Sequence, residues 1–248
     1  MRILVVNPNT SPSMTATIEA VGRRLSHPGF EVVTRRADFG PVGIDTQVDD
    51  VVAAFATLEV IARERTAFDA FVIACYDDPA LEACREIASG PVLGIGETSM
   101  LVACALSGKF SVVCCSPEEI PTTEAVVARY GLASRCASVR SAGMSVTDDL
   151  TGAVAIEKME AAARRAIVED GARAVCLGCA GLAAVRSPLE KRLSVPVVDG
   201  VEAAIRMAGL LAAMRTPASA RPVPGSATGK GFTPLEGARL PGIQSIYG

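Results

Sequence analysis

Short apolar runs alternate with longer stretches of helical periodicity along most of the chain. The runs RILVVN (2–7), FEVVTRR (30–36), AFVIAC (70–75), PVLGI (91–95), FSVVCC (110–115), CASVR (136–140), AVCLGC (174–179) and PVVDG (196–200) read as strands. Most are continuously apolar rather than alternating, as expected of strands buried on both faces. Between them the spacing predicts helices over 11–25, 47–66, 79–89, 97–106, 118–130, 151–169, 187–193 and 201–214. Strand–helix alternation of this kind implies an α/β fold with parallel sheets covered by helices.

The order of motifs repeats. RILVVNPNT and FSVVCCSPEEI are each a strand followed by a Pro-containing turn. AFVIAC and AVCLGC each end in Cys, and PVLGIGE and PVVDGVE follow. Cys75 lies 16 residues before Pro91, and Cys179 lies 17 before Pro196. Asn7 lies 68 residues before Cys75, and Cys114 lies 65 before Cys179. Three matches in register imply an internal duplication, hence two similar Rossmann-like halves related by a pseudo-twofold. The expected division is 1–96, with 205–248 packing back onto it, and 97–204. Ligands of parallel sheets bind beyond the carboxyl ends of the strands. A cleft between the halves would therefore bring Cys75 and Cys179 face to face. From about 216 Pro, Gly, Ala and Ser dominate and the periodicity is lost, so an extended arm is expected, packed over its own body or a neighbouring subunit.

Composition narrows the class. Half of the 248 residues are hydrophobic, only 4% are aromatic and Trp is absent, so aliphatic side chains must fill the core. The net charge of −3 is spread over mixed signs with no basic stripe, which argues against a nucleic-acid partner. No apolar run approaches the roughly 18 residues of a membrane span. The chain opens directly on a strand rather than a leader, so a cytoplasmic location is expected. In a reducing compartment most of the eight cysteines would be small core residues.

Two of them stand out from that background. Cys75 precedes YDDP, where Asp78 and Pro79 are expected to start a helix, and a thiol beside a helix N-terminus is favoured as thiolate. Asp77 and Asp78 oppose this, and taken alone Cys75 reads equally well as a core residue. Cys179 lies in GCAGL, whose small residues leave backbone N–H groups open to a carbonyl oxygen or to close packing. Cys176 and Cys179 form a C-x-x-C, but Cys176 lies inside the strand and the lone His27 sits in a Pro/Gly loop, so no metal is expected. Cys84, Cys104 and Cys136 read as packing, and of the adjacent Cys114 and Cys115 at most one can reach the cleft. One of Asn9, Thr10 and Ser11 is expected to cap the first helix. No nucleotide-binding glycine motif is present.

A cysteine hydrolase needs a His base, which His27 is poorly placed to supply. Two opposed thiols suit a different reaction, in which one removes a proton from an acidified carbon and the other delivers one to the opposite face. The motifs RILVVNPNTS, DAFVIACYDDPAL, PVLGIGETSM, AVCLGCAGLA and PVVDGVEAA resemble, in order over residues 1 to 212, those of the hydantoin racemases within the aspartate/glutamate racemase superfamily. The resemblance implies cofactor-independent inversion at C5 of 5-substituted hydantoins, a cyclic ureide substrate, Cys75 and Cys179 as the acid/base pair, and a homo-oligomer. Allantoin racemases share the motifs, so that substrate stays open. The resemblance also implies that Asn9, Gly96, Glu97 and Gly181 line the site and that Ile44 contacts the ring substituent. The family carries hydroxyl residues at Cys114 and Cys115, which leaves Ser116 as the remaining hydroxyl, and Gly43 replaces a Ser, which would widen the pocket. The rival readings are a superfamily decarboxylase using one Cys, an inactive ring-binding protein, and a thiol redox protein using Cys176 and Cys179.

Overall fold

The β–α units of the chain build two four-stranded sheets in which every paired strand is parallel to its neighbour. The structure is a computed structural model that describes residues 1–214 and 240–247. The first sheet has the order β2-β1-β3-β4, from β1 (Arg2–Asn7), β2 (Glu31–Arg36), β3 (Ala70–Ile73) and β4 (Val92–Gly94). The second has the order β6-β5-β7-β8, from β5 (Phe110–Cys114), β6 (Cys136–Ser141), β7 (Ala174–Leu177) and β8 (Val197–Asp199). The duplication inferred from motif spacing is thus a duplication of topology.

Nine helical segments cover these sheets among the described residues: α1 (Pro12–Leu25), α2 (Gln47–Glu64), α3 (Leu81–Ile87), α4 (Ile95–Leu106), α5 (Glu119–Arg129), α6 (Ala153–Val168), α7 (Arg186–Arg192), α8 (Gly200–Met214) and α9 (Pro241–Tyr247). A 3₁₀ turn, Ala180–Val185, precedes α7. Local chemistry sets the helix starts. Ser11 caps α1, accepting the Met14 N–H at 3.2 Å with Pro12 in the first turn. Thr46 and Asp49 form a reciprocal capping box on α2.

Helices cover both faces of each sheet, and the inner strands β1, β3, β5 and β7 are buried while the edge strands β2 and β6 are only partly so. Ile3, Val5 and Val72 pack with Ile18 of α1 and Val201, Ile205 and Ala208 of α8. Leu4, Val6, Phe71 and Ile73 pack on the opposite face with Val60 and Ile61 of α2. In the second sheet Val113, Val175 and Leu177 meet α6 and α7, while Phe110, Val112 and Cys176 meet Met100 and Ala103 of α4 and Val126 of α5. Helix α4 therefore leaves the first sheet to cover the second, α8 returns to cover the first, and the two pack on each other.

Two local expectations are corrected. Asp78 does not cap the helix that follows it. Its backbone is left-handed (φ 52°), α3 begins only at Leu81, and its carboxylate instead accepts the N–H groups of Gly96 (2.9 Å) and Glu97 (2.7 Å) at the start of α4. The tail is also more ordered near its end than a Pro/Gly-rich composition suggests. Ile243 of α9 and the preceding Leu240 pack with Ala62 of α2, and the buried Glu59 carboxylate accepts the N–H groups of Gly242 (2.8 Å) and Ile243 (2.6 Å). A seven-residue helix is too short to declare itself by periodicity. The expected arm over 215–239 lies outside the described residues. Among those residues no helix is long and apolar enough to cross a membrane.

Candidate active site

Strand order creates the site. In the first sheet the chain leaves β1 toward β2 on one edge and leaves β3 toward β4 on the other. The carboxyl ends of β1 and β3 therefore flank a topological switch point, where a crevice opens. β5 and β7 repeat the arrangement. Cys75 lies two residues beyond β3 and Cys179 two beyond β7. Both thiols line one cleft. Asn9, from the turn after β1, and Glu119, from the start of α5, line it too, and Met14, Ile44 and Val146 supply an apolar wall.

The cleft is electrostatically unusual, with more carboxyl groups than cations. Burial, then the charges of Asp77 and Asp50, push the Cys75 thiol well above its ordinary range, against a hydrogen bond from the Asp77 N–H to its sulfur. Burial also pushes Asp77 up to about 6, with Asp50 acting in the same direction and Arg129 against it. Glu119 is pushed up to about 7, chiefly by burial. The N–H of Ser116, 2.8 Å from Oε2 of Glu119, and that of Cys115 pull the other way, and Asp45 and Asp77 add to the rise. Beside the second thiol, Cys115 is held as a thiol by its hydrogen bond to the Cys179 sulfur and by burial.

Asn9 is locked by its own turn. Its Oδ1 accepts Asn7 Nδ2 at 2.9 Å and the Ser11 N–H at 3.0 Å. The amide N–H₂ is then the part of the side chain without a partner among the described residues. The site thus offers two thiols, an N–H donor and a set of carboxyl groups. Among the described residues no group of three or more His, Cys, Asp or Glu is placed to hold a metal ion.

A family model described as Asp/Glu/Hydantoin racemase matches residues 3–208. The chain belongs to that racemase family. A hydantoin racemase of Pseudomonas sp. (strain NS671) is 38% identical over 210 residues, covering 84% of each chain. Among solved structures, an allantoin racemase from Klebsiella pneumoniae superposes with a TM-score of 0.84 at 35% identity, covering 100% of this chain and 99% of that one. An allantoin racemase from Pseudomonas fluorescens gives 0.83 at 36% identity, covering 86% and 92%. The chain is accordingly an enzyme of the isomerase class, with the two α/β halves of the racemase fold.

Within this racemase, the residues singled out from sequence divide into two groups. Asn9, Ile44, Cys75 and Cys179 come together in the cleft. Gly96, Glu97, Ser116 and Gly181 do not line it. Gly96 lies against the Tyr76 carbonyl, behind the Cys75 turn. The Glu97 carboxylate pairs with Arg85, which also holds the Val92 carbonyl at 3.1 Å. Its repeat partner Glu202 pairs with Arg186, which holds the Val197 carbonyl at 3.2 Å. The repeated glutamates therefore brace the two halves. Gly181 lies against Leu150 and the Met14 thioether. The Ser116 hydroxyl is buried without a partner among the described residues, at the rim of a neighbouring hollow with Asp45 and Thr46.

Gly43 does not widen the pocket. A Cβ there would lie 2.8 Å from Val146 Cγ2, so its lack of a side chain lets the loop of one half close on that of the other. Of the adjacent pair, Cys115 touches Cys179, while the Cys114 thiol turns away and donates to the carbonyls of Ser116 and Arg140, both at 3.3 Å. Sequence reading took Asp77 only as a charge opposing a Cys75 thiolate, an effect the structure bears out, and it missed Glu119, Thr123, Met14 and Val146. The repeat carried the signal for Glu119 and Thr123: the turn after β5 mirrors the one that supplies Asn9, and its first helical turn is acidic.

Proposed function

We propose that the protein is a cofactor-independent racemase that inverts C5 of 5-substituted hydantoins, a class that includes allantoin, by proton transfer between Cys75 and Cys179. The observation that carries this reading is the pair of thiols at repeat-related strand ends lining one cleft. C5–H of a hydantoin is acidified by the adjacent C4 carbonyl. One sulfur, as thiolate, takes that proton. Charge moves onto the C4 oxygen, where the Asn9 amide supplies an N–H donor. The opposite thiol then delivers a proton to the other face. The pseudo-twofold suits a reaction in which acid and base exchange roles with the hand of the substrate.

The carboxyl groups favour a neutral ring over the other substrates of such folds. Asp77 and Glu119 would repel the carboxylates of a free amino acid or a malonate. Glu119 already occupies the N–H of Ser116 at the start of α5, which would otherwise receive an anion. A hydantoin carries no full charge and presents two ring N–H donors to these acceptors.

The test is C5 hydrogen–deuterium exchange and optical rotation on single enantiomers of allantoin and a 5-alkyl hydantoin, against an uncatalysed control. Cys75→Ser and Cys179→Ser should each lose racemisation by about 10³-fold while one enantiomer still exchanges. A wild-type enzyme that neither exchanges nor racemises any hydantoin would end this reading.

A further inference from the structure

The two ends of the cleft are not equivalent, although the repeat makes them topologically so. In the first half the strand–helix turn is closed by a neutral amide, with Asn9 Oδ1 on the Ser11 N–H. In the second half the corresponding turn is closed by a carboxyl, with Glu119 Oε2 on the Ser116 N–H. Glu119 is only 8% exposed and forms no salt bridge among the described residues, and the charges of Asp45 and Asp77 add to the rise of its pKa. A buried carboxyl without a cation is costly unless hydrogen-bond donors compensate it. The two backbone N–H groups use only part of the acceptor capacity of a carboxylate, which has about four lone-pair sites. Glu119 and Thr123 both line the cleft, from which a bound molecule can reach that remaining capacity.

We propose that Glu119 sets the specificity for the C5 substituent, accepting hydrogen bonds from a substituent that carries N–H donors, such as a ureido group, in preference to an alkyl group. This rests on the hydantoin reading above. A ureido group presents N–H groups to an acceptor that alkyl chains leave unpaired. Sites built to hydrogen-bond a polar group discriminate strongly against analogues that lack it. The raised pKa of Glu119, about 7, agrees with a buried carboxyl short of donors. The rival location for the substituent is the apolar wall of Met14, Ile44 and Val146, which would favour an alkyl group.

The experiment compares kcat and KM for 5-ureidohydantoin and 5-isobutylhydantoin in wild type, Glu119→Ala and Glu119→Gln. The glutamine variant keeps a carbonyl oxygen for the Ser116 N–H and carries the test if the alanine variant does not fold. The wild type should favour the ureido substrate by at least tenfold in kcat/KM. That ratio should fall at least tenfold in Glu119→Ala, mainly through the KM of the ureido substrate, and by an intermediate factor in Glu119→Gln. Equal losses on both substrates, an unchanged ratio in the variants, or a wild-type preference for the alkyl substrate overturns the proposal. Failure of the hydantoin reading is distinct, because neither substrate would then be turned over.

Discussion

Cys115 lies behind the cleft surface, yet it packs beside Cys179, one of the two thiols of the proposed mechanism, and a hydrogen bond to that sulfur holds it as a thiol. In the proposed mechanism, with Cys179 as the base, that donor would face the sulfur that takes the C5 proton. Hydrogen bonds to charged groups contribute about 1.5–3 kcal/mol, so Cys115→Ala should lower kcat/KM about tenfold or more. Enantiomers are equal in free energy, so kcat/KM must be the same in both directions. The loss therefore appears equally for both hands, although the residue touches one thiol. Cys115→Ser, which keeps a donor, should retain most of the activity; equal loss in Ser and Ala variants would reduce Cys115 to packing. Cys75 makes a second demand at this scale. Burial and the neighbouring carboxylates hold it as a thiol, so the form that the proposed mechanism needs as base becomes populated only as pH rises. The pH profile of kcat/KM should climb into the alkaline range, and a profile that falls above pH 7 with the fold intact would contradict a thiolate base.

At the scale of elements, the repeat shows how two halves solve one capping problem differently. Helix α8 is capped by the residue just before it, since Asp199 accepts the Val201 N–H at 3.0 Å and the Glu202 N–H at 3.4 Å. Helix α4 has Gly94 at that place, and Asp78 reaches in from the loop after Cys75 to take the equivalent N–H groups of Gly96 and Glu97. A Cβ on Gly94 would lie 2.1 Å from the Asp78 carboxyl carbon, so the two solutions exclude each other. Asp78→Gly should cost about 2–3 kcal/mol, because buried N–H groups and the Tyr130 hydroxyl lose their acceptor. Gly94→Asp alone should also destabilise, by steric conflict. The double variant should recover much of both losses by imitating α8, as thermal unfolding would register; simple additivity would refute the equivalence. The same comparison explains what sequence motifs could and could not reveal. PVLGIGE and PVVDGVE repeat because both glutamates anchor an arginine brace, so the match located a structural device as readily as a site. That Cys75 and Cys179 share one cleft was legible because strand ends of a parallel sheet meet there. Glu119 was not, because its place depends on which turns the fold carries to a common cleft, and an acidic first turn is ordinary helix chemistry.

For the whole molecule, the fold was readable because strands buried on both faces have little freedom in composition, and the repeat supplied their grouping. The helix α9 was not, since its place depends on a buried carboxyl, Glu59, nearly two hundred residues away. Burial of carboxyls also sets how the whole fold responds to pH. Asp77 and Asp199 are pushed up to about 6, and Asp78 and Glu119 to about 7, in each case chiefly by burial. A group whose pKa is higher folded than unfolded binds more protons in the native state between the two values. Its stabilising effect is then full below the unfolded pKa, near 4, and is lost as pH rises through 6 to 7. Carboxylates with lowered values, such as Asp170 at about 2 beside Arg140, act in the opposite sense only at lower pH. The unfolding temperature, measured under reducing conditions, should therefore be several degrees higher at pH 5 than at pH 8. Asp199→Asn, which keeps an oxygen for the cap but cannot titrate, should flatten that dependence. A temperature that is constant or rises from pH 5 to 8 would show that the donors around these carboxyls outweigh their burial. If it falls as argued, stability and the proposed catalysis pull in opposite directions, since a thiolate base favours the alkaline range that the buried carboxyls disfavour.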